Sequence, residues 1–197
     1  MKKGRLEAFT DGVVAIIITI MVLELKVPHG DSLQALVPLL PVFLSYILSF
    51  VYIGIYWNNH HHMLYVVDSI NGSVLWANLN LLFWLSLIPF ATAWMGDNHF
   101  TKWPVVLYGT VLIMSGIAYS ILSWMLIRCS GRHSALAEAV GNDWKGKVSL
   151  VIYAVAITLA FVNPRISVCL YITVAIVWFI PDTRIERKII NKGINNN

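Results

Sequence analysis

Polar residues cluster at two places in a largely apolar sequence. One is the segment Arg5-Leu6-Glu7-Ala8-Phe9-Thr10-Asp11, at the start of a long apolar run, and the other is the histidine triplet at positions 60–62. A carboxylate at membrane depth is costly and normally faces protein or water. Asp11 is therefore either an interface residue that pairs with Arg5 or a neighbouring helix, or a buried node that fixes the first helix against its neighbours.

The histidine triplet does not have the spacing of a metal site. Adjacent residues of a helix point about 100° apart, whereas two metal ligands on one helix face usually sit three or four residues apart. We therefore expect no metal, and expect instead that one histidine hydrogen-bonds to the polar end of the first helix. Proton sensing is a second role that the sequence leaves open, because histidine titrates near neutral pH. The predicted network comprises Arg5, Phe9, Thr10, Asp11, His60, His61 and His62.

The sequence lacks the common signatures of an enzyme. It contains neither G-x-S-x-G nor H-E-x-x-H, and no pair of carboxylates lies in the middle of an apolar run. Cys129 and Cys169 form no C-x-x-C pair, so we interpret them as small packing residues. We expect neither catalysis nor a bound cofactor.

The composition places most of the chain in lipid. Of its 197 residues, 58% are hydrophobic and only 12% are charged, whereas a soluble domain is roughly 45–50% apolar and about 25% charged. A water-soluble globule of this size could not bury so much apolar surface. The net charge of +4 indicates membrane topology rather than nucleic-acid binding.

Six apolar segments predict an all-α integral membrane protein with six transmembrane helices. We expect residues 1–190 to form a single six-helix transmembrane domain and residues 191–197 to form a polar C-terminal tail. The last two segments are short for a hydrocarbon core of about 30 Å. The predicted spans are 6–25, 36–57, 74–94, 104–127, 148–162 and 166–180.

The placement of basic residues predicts the orientation. With the N-terminus inside, 11 of the 14 Lys and Arg residues fall on the inner side, and the other three are Lys26, Lys102 and Arg165. Cytoplasmic loops are enriched in Lys and Arg, so we expect both termini in the cytoplasm and an even number of spans.

Bulky apolar residues form a stripe on the first helix. Ile16, Ile20 and Leu23 follow i, i+4, i+7 spacing, which puts them on one face, and Thr19 lies beside that face. From the spacing alone, such a stripe is more often a packing or lipid-facing surface than the lining of a pore.

The start of the first helix resembles a known family. The residues Arg5-x-x-x-Phe9-Thr10-Asp11 are similar to the R-x-x-x-F-S-D signature of the lysosomal potassium channel family (transmembrane protein 175), in its bacterial branch. The chain length, the six predicted spans and the histidines that end the second span fit the same family. Thr10 stands where the family usually has serine, and it keeps the hydroxyl.

The resemblance implies a homotetrameric potassium-permeable channel whose first helices line a central pore. The family's pore-facing residues fall on Ile16, Ile20 and Leu23, and its hydroxyl residue linked to potassium preference falls on Thr19. The family lacks a carbonyl filter, and no TVGYG-like loop occurs in this sequence either. We therefore expect a hydrophobic constriction and weak preference for potassium over sodium.

A proton- or cation-coupled secondary transporter is the alternative. Transporters usually contain repeats and interrupted helices around a midplane site, whereas the midplanes of all six predicted spans lack charge. The expected partners are further copies of the chain, membrane lipids, and potassium and other monovalent cations, with no nucleic acid. The expected location is the cell membrane, as a multi-pass protein of a bacterial inner membrane.

Overall fold

The structure is a computed structural model that describes residues 2–67, 69–131, 134, 136–137 and 143–179. The predicted tail at 191–197 lies outside these residues. All the elements with described bounds are helical, which confirms the predicted all-α class. They are α1 Gly4–Leu23, a 3-10 helix Leu33–Leu39, α2 Leu40–Tyr65, α3 Gly72–Ser86, α4 Ile88–Asp97, α5 Lys102–Ser130, α6 Trp144–Leu159 and α7 Pro164–Phe179.

Several of these helices suit a membrane. Within the described ranges, four helical stretches are long and apolar enough to cross one: Gly4–Leu23, Leu33–Tyr65, Gly72–Asp97 and Lys102–Ser130. Helix α7 is a shorter apolar helix of 16 residues, and α6 has the same length. The chain is thus a multi-pass helical membrane protein.

Helix α2 continues beyond the end that the sequence predicts. The predicted span stops at residue 57, but the helix runs through the asparagines and histidines to Tyr65. Polar residues of these types lower helix propensity only slightly, so they mark the edge of the apolar run and not the end of the helix. The histidines therefore lie on the last two turns of a helix that also reaches the bundle interior.

The third predicted span is broken into two helices. Helix α3 ends at Ser86 and α4 begins at Ile88, with Leu87 between them. Pro89 has no backbone N–H and its ring clashes with the carbonyl four residues earlier, so the helix is interrupted just before it.

Contacts between helix ends show how the chain passes back and forth. We call the end of the bundle where α1 begins the near end, and the opposite end the far end. At the near end, the Lys3 ammonium donates to the carbonyl of Leu64, 2.6 Å away, in the last turn of α2. At the far end, Lys26 after α1 lies 3.8 Å from the carboxylate of Asp97 in the last turn of α4. Consecutive long segments therefore run in opposite directions.

Helix α1 lies at one side of the bundle. It packs mainly against α2, α3 and α4, whereas α7 packs against α2, α5 and α6. Tyr52 on α2 donates to the backbone carbonyl of Tyr171 on α7, 2.6 Å away. A Cβ at Gly109 on α5 would overlap the Tyr171 hydroxyl, so glycine allows α7 to approach α5 closely. These contacts pack α7 closely against α2 and α5.

Candidate functional site

Helix α1 has one face that packs and one face that does not. The packed face consists of side chains spaced three or four residues apart, as expected for one side of a helix: Leu6, Thr10, Val14, Ile17 and Met21. A second face, about 110° round the helix from the first, holds large apolar residues that are exposed in the subunit: Phe9, Ile16, Ile20 and Leu23.

The predicted stripe lies on the uncovered face. Ile16 is 59% exposed, Ile20 43% and Leu23 75%. Neighbouring helices cover a different face of α1, and these three side chains, at i, i+4 and i+7, form a continuous apolar ridge along the subunit surface. Such a ridge has three possible surroundings. It can face lipid, it can pack against another chain, or it can line a narrow pore enclosed by the ridges of several chains.

Thr19 adds one oxygen beside this ridge. Its hydroxyl donates to the backbone carbonyl of Ala15, 2.8 Å away, and the side chain is exposed. A hydroxyl has one donor and two acceptor lone pairs. The hydroxyl proton of Thr19 is engaged in the bond to Ala15. The acceptor lone pairs of this exposed oxygen therefore remain available to water or to a cation.

A buried hydrogen-bond chain joins three helices near the start of α1. The Asn78 side-chain amide on α3 donates to the Thr10 hydroxyl at 2.9 Å, and its carbonyl oxygen lies 2.8 Å from Nε2 of His60 on α2. An amide oxygen only accepts, so Nε2 of His60 donates. Thr10 and Asn78 are each 2% exposed and His60 is 4% exposed. The chain therefore fixes α1, α2 and α3 in one register.

Asp11 is not part of this hydrogen-bond chain. In the single subunit its side chain is exposed, and its carboxylate accepts a hydrogen bond from the Trp57 indole at 2.9 Å. Trp57 is on α2, four residues before His61, and the two rings stack with their centres 6.0 Å apart. The carboxylate is thus a bridge between α1 and α2 at the subunit surface and not a buried node within one subunit.

The other predicted network members lie around these two contacts. His61 is exposed, and His62 is partly buried with its ring centre 5.9 Å from that of His61. Phe9 and Arg5 are exposed on α1. Across the described residues, no group of three or more His, Cys, Asp or Glu side chains could hold a metal ion.

Sequence reasoning missed one contributor, Lys3. The Lys3 ammonium bonds the carbonyls of Leu64 and Tyr65 at 2.6 and 3.0 Å, and lies 3.9 Å from the Glu7 carboxylate. A cation at the C-terminal end of a helix compensates its unpaired carbonyls. No local pattern indicates that Lys3 meets a helix end some sixty residues later, because that contact depends on the packing of the whole bundle.

Comparison with known proteins identifies the family. A family model described as the endosomal/lysosomal potassium channel TMEM175 matches residues 5–89. A potassium channel of Chryseobacterium sp. (strain P1-3) is 57% identical over 189 residues, which cover 96% of this chain and 98% of that protein. The chain belongs to the TMEM175 potassium channel family. This result confirms the resemblance seen at the start of α1.

Two further TMEM175 proteins extend the comparison. The crystal structure of a lysosomal potassium-selective channel TMEM175 homolog from Chamaesiphon minutus matches with a TM-score of 0.80 at 26% identity, covering 91% of this chain and 97% of that one. The endosomal/lysosomal proton channel TMEM175 of Gallus gallus is 34% identical over 103 residues, which are 46% of this chain and 21% of that protein. The TMEM175 relatives are ion channels and not enzymes, so the expectation of a non-catalytic protein is confirmed.

Proposed function

We propose that this protein is a potassium-permeable cation channel formed by four copies of the chain around an axis lined by α1. One observation supports the pore above all others. Helix α1 is covered on one side by its own subunit and leaves Ile16, Ile20 and Leu23 uncovered on the other. Relatives named potassium channel, one of which aligns with nearly the whole chain, support the same function.

The ridge gives the pore its constriction. Rings of Ile16, Ile20 and Leu23 around a narrow axis are poorly wetted, and hydrophobic constrictions gate by excluding water. An apolar ring offers no ligand to a dehydrated ion, so conduction requires widening and the passage of partly hydrated cations. The lone pairs of Thr19, left outward by its bond to Ala15, supply polar contacts beside the rings and favour potassium weakly over sodium.

The near end of the bundle faces the cytoplasm in this proposal, and the protein has six spans. The basic residues concentrated at the near end support this orientation, because cytoplasmic loops are rich in Lys and Arg. The short helices α6 and α7 provide the last two spans, with their ends in the interfacial layers. A bacterial inner membrane is the proposed location.

The decisive functional experiment is ion flux in vesicles that contain the purified protein. A channel passes large uncoupled potassium currents down a gradient, whereas a transporter shows slow, saturable flux that requires a second ion. Substitution Ile16→Asn should wet the constriction and increase basal potassium flux, and Ile16→Val, which keeps the ring apolar, should not. A proton gradient imposed in parallel tests for proton permeation, the activity named in the Gallus gallus relative.

Two results would contradict the proposal. Flux that saturates and stops when a coupling ion is removed would favour the secondary transporter. Intact tetramers whose conductance is unchanged by Ile16→Asn would remove Ile16 from the pore.

A further inference from the structure

An apolar groove runs between α2 and α7 on the subunit surface. Its volume is about 510 Å³. Its walls are side chains of both helices and of the loop between α4 and α5, and all of them are apolar: Leu44, Ile47, Leu48, Val51, Phe100, Val168, Ile172, Ala175, Ile176 and Phe179.

The two helices that form the groove are packed together at its base. The Tyr52 hydroxyl donates to the carbonyl of Tyr171, which pins α2 to α7 at a fixed separation. Leu48 and the small residue Ala175 are buried at the base, while Ile176 on the wall is 60% exposed. The depression is thus part of the packed bundle, and its rim is open to whatever surrounds the subunit.

The groove lies on the side of the subunit away from the proposed pore. Helix α1 packs against α2, α3 and α4, and α7 packs against α2, α5 and α6. If α1 lines the central axis, α7 lies at the periphery, where the surrounding medium is lipid. This step rests on the proposed function.

An exposed cation precedes the groove residues of α7 along the helix. Arg165 is the second residue of α7, and its helical position lies on the same face as Val168, Ile172 and Ile176, which follow at i+3, i+7 and i+11. Arg165 is exposed, and within the described ranges its guanidinium has neither an ion pair nor a hydrogen bond. At 1.5 Å per residue, the stripe below it extends through about 15 Å, which is one leaflet of the hydrocarbon core.

We propose that this groove binds one acyl chain of a phospholipid whose phosphate lies at Arg165. The apolar walls match the chain, and the guanidinium matches the anionic phosphate, with which it forms two parallel hydrogen bonds. The lipid comes from the leaflet at the far end of the bundle. Each subunit carries one such site, separate from the ion path along α1.

Photolabelling of the unmodified protein tests the site directly. The protein is placed in vesicles that contain phosphatidylglycerol with a photoreactive group in the acyl chain, and is then briefly chased with excess unlabelled lipid before illumination. Label should persist on Ile172, Ile176 and Leu44, and should disappear from Val151 and Val155, which are exposed on α6. Equal loss of label from both sets would overturn the proposal.

Two variants separate the acyl chain from the phosphate, each with a matched control. Ile176→Trp fills the groove from an exposed position, and Val155→Trp adds the same bulk elsewhere. Retained phospholipid, counted by native mass spectrometry, should fall by about tenfold in Ile176→Trp alone, because the loss of two buried CH₂ contacts is enough for that factor. Arg165→Gln should lower retention of phosphatidylglycerol, and Lys102→Gln should not.

The same spectra distinguish this proposal from the proposed channel. If Ile176→Trp gives monomers while Val155→Trp gives tetramers, the groove is covered by a neighbouring copy and the lipid proposal is wrong. If Ile176→Trp tetramers retain as much lipid as the unmodified protein, the proposal is also wrong. If the unmodified protein is not a tetramer, the channel assembly fails, while the label pattern still reports on the groove.

Discussion

At the scale of single residues, Thr19 is the proposed source of the weak preference for potassium. Replacement of Thr19 by valine keeps the shape of the side chain and removes the oxygen whose lone pairs face outward. We expect conduction to persist and the potassium-to-sodium permeability ratio to fall towards unity, as measured by the reversal potential with the two ions on opposite sides. Thr19→Ser, which keeps the hydroxyl, is the control. An unaltered reversal potential in Thr19→Val would show that the hydroxyl does not discriminate.

Asn78 is a second single residue with a testable role, in the stability of the folded subunit. Asn78→Leu removes the group that joins Thr10 to His60 and leaves both of them buried without their shared partner. An unsatisfied buried polar group costs about 1–3 kcal/mol, so we expect a clear drop in thermal stability. Asn80→Leu is the matched control, because Asn80 is exposed on the same helix. Equal stability losses in the two variants would contradict a special role for Asn78.

The contacts of this polar region could be predicted from the sequence only in part. We expected one histidine to hydrogen-bond to the polar end of the first helix, and in the structure His60 and Thr10 each bond to Asn78 and not to each other. The partner of Asp11 was missed: the Trp57 indole on α2 donates to its carboxylate. Spacing on one helix gives the direction of a side chain, but its partner depends on the rotation of the neighbouring helix.

At the scale of elements, the bridge between Asp11 and Trp57 attaches the near end of α1 to α2. Asp11→Ala should weaken this attachment and lower the potassium current or the stability of the assembly. Ion preference in the residual current should not change, because Asp11 lies on a different side of α1 from the ridge. Trp57→Phe should have the same effect, and the double variant should be no worse than either single one if the hydrogen bond is responsible.

Two outcomes would contradict a structural role for the Asp11–Trp57 hydrogen bond. A stable Asp11→Ala channel with altered selectivity would mean that the carboxylate touches the permeating ions. Additive losses in the double variant would mean that Asp11 and Trp57 act independently. Both readouts come from the flux and thermal measurements that the other variants need.

The helices themselves were largely predictable because lipid requires long apolar runs with every backbone group bonded internally. Their ends were less predictable. Helix α2 continues through His60 to Tyr65, and the third run divides at Leu87. In the first case polar residues marked the end of the apolar run and not the end of the helix, and in the second Pro89 divides one apolar run into two helices.

At the scale of the whole molecule, a single subunit leaves two apolar surfaces without a packing partner in the described residues. The ridge of α1 is uncovered at one side, and the groove between α2 and α7 is uncovered at another. The first suits a pore shared between copies, and the second suits lipid. The family likeness supplied the tetramer in the sequence-based prediction, because hydrophobic spacing alone does not say whether an apolar face meets lipid, a neighbour or ions.

The central claim is that the uncovered face of α1 lines the ion path, and cysteine accessibility tests it most directly. Cys129 and Cys169, the two cysteines of the chain, are first replaced by serine. Single cysteines are then introduced at Ile16, Ile20 or Leu23, or at the packed positions Ile17 and Met21, and potassium flux is measured with a small cationic thiol reagent. We predict rapid block at the first three positions and none at the last two. Block at Ile17 and Met21 with no effect at Ile16, Ile20 and Leu23 would place the pore elsewhere.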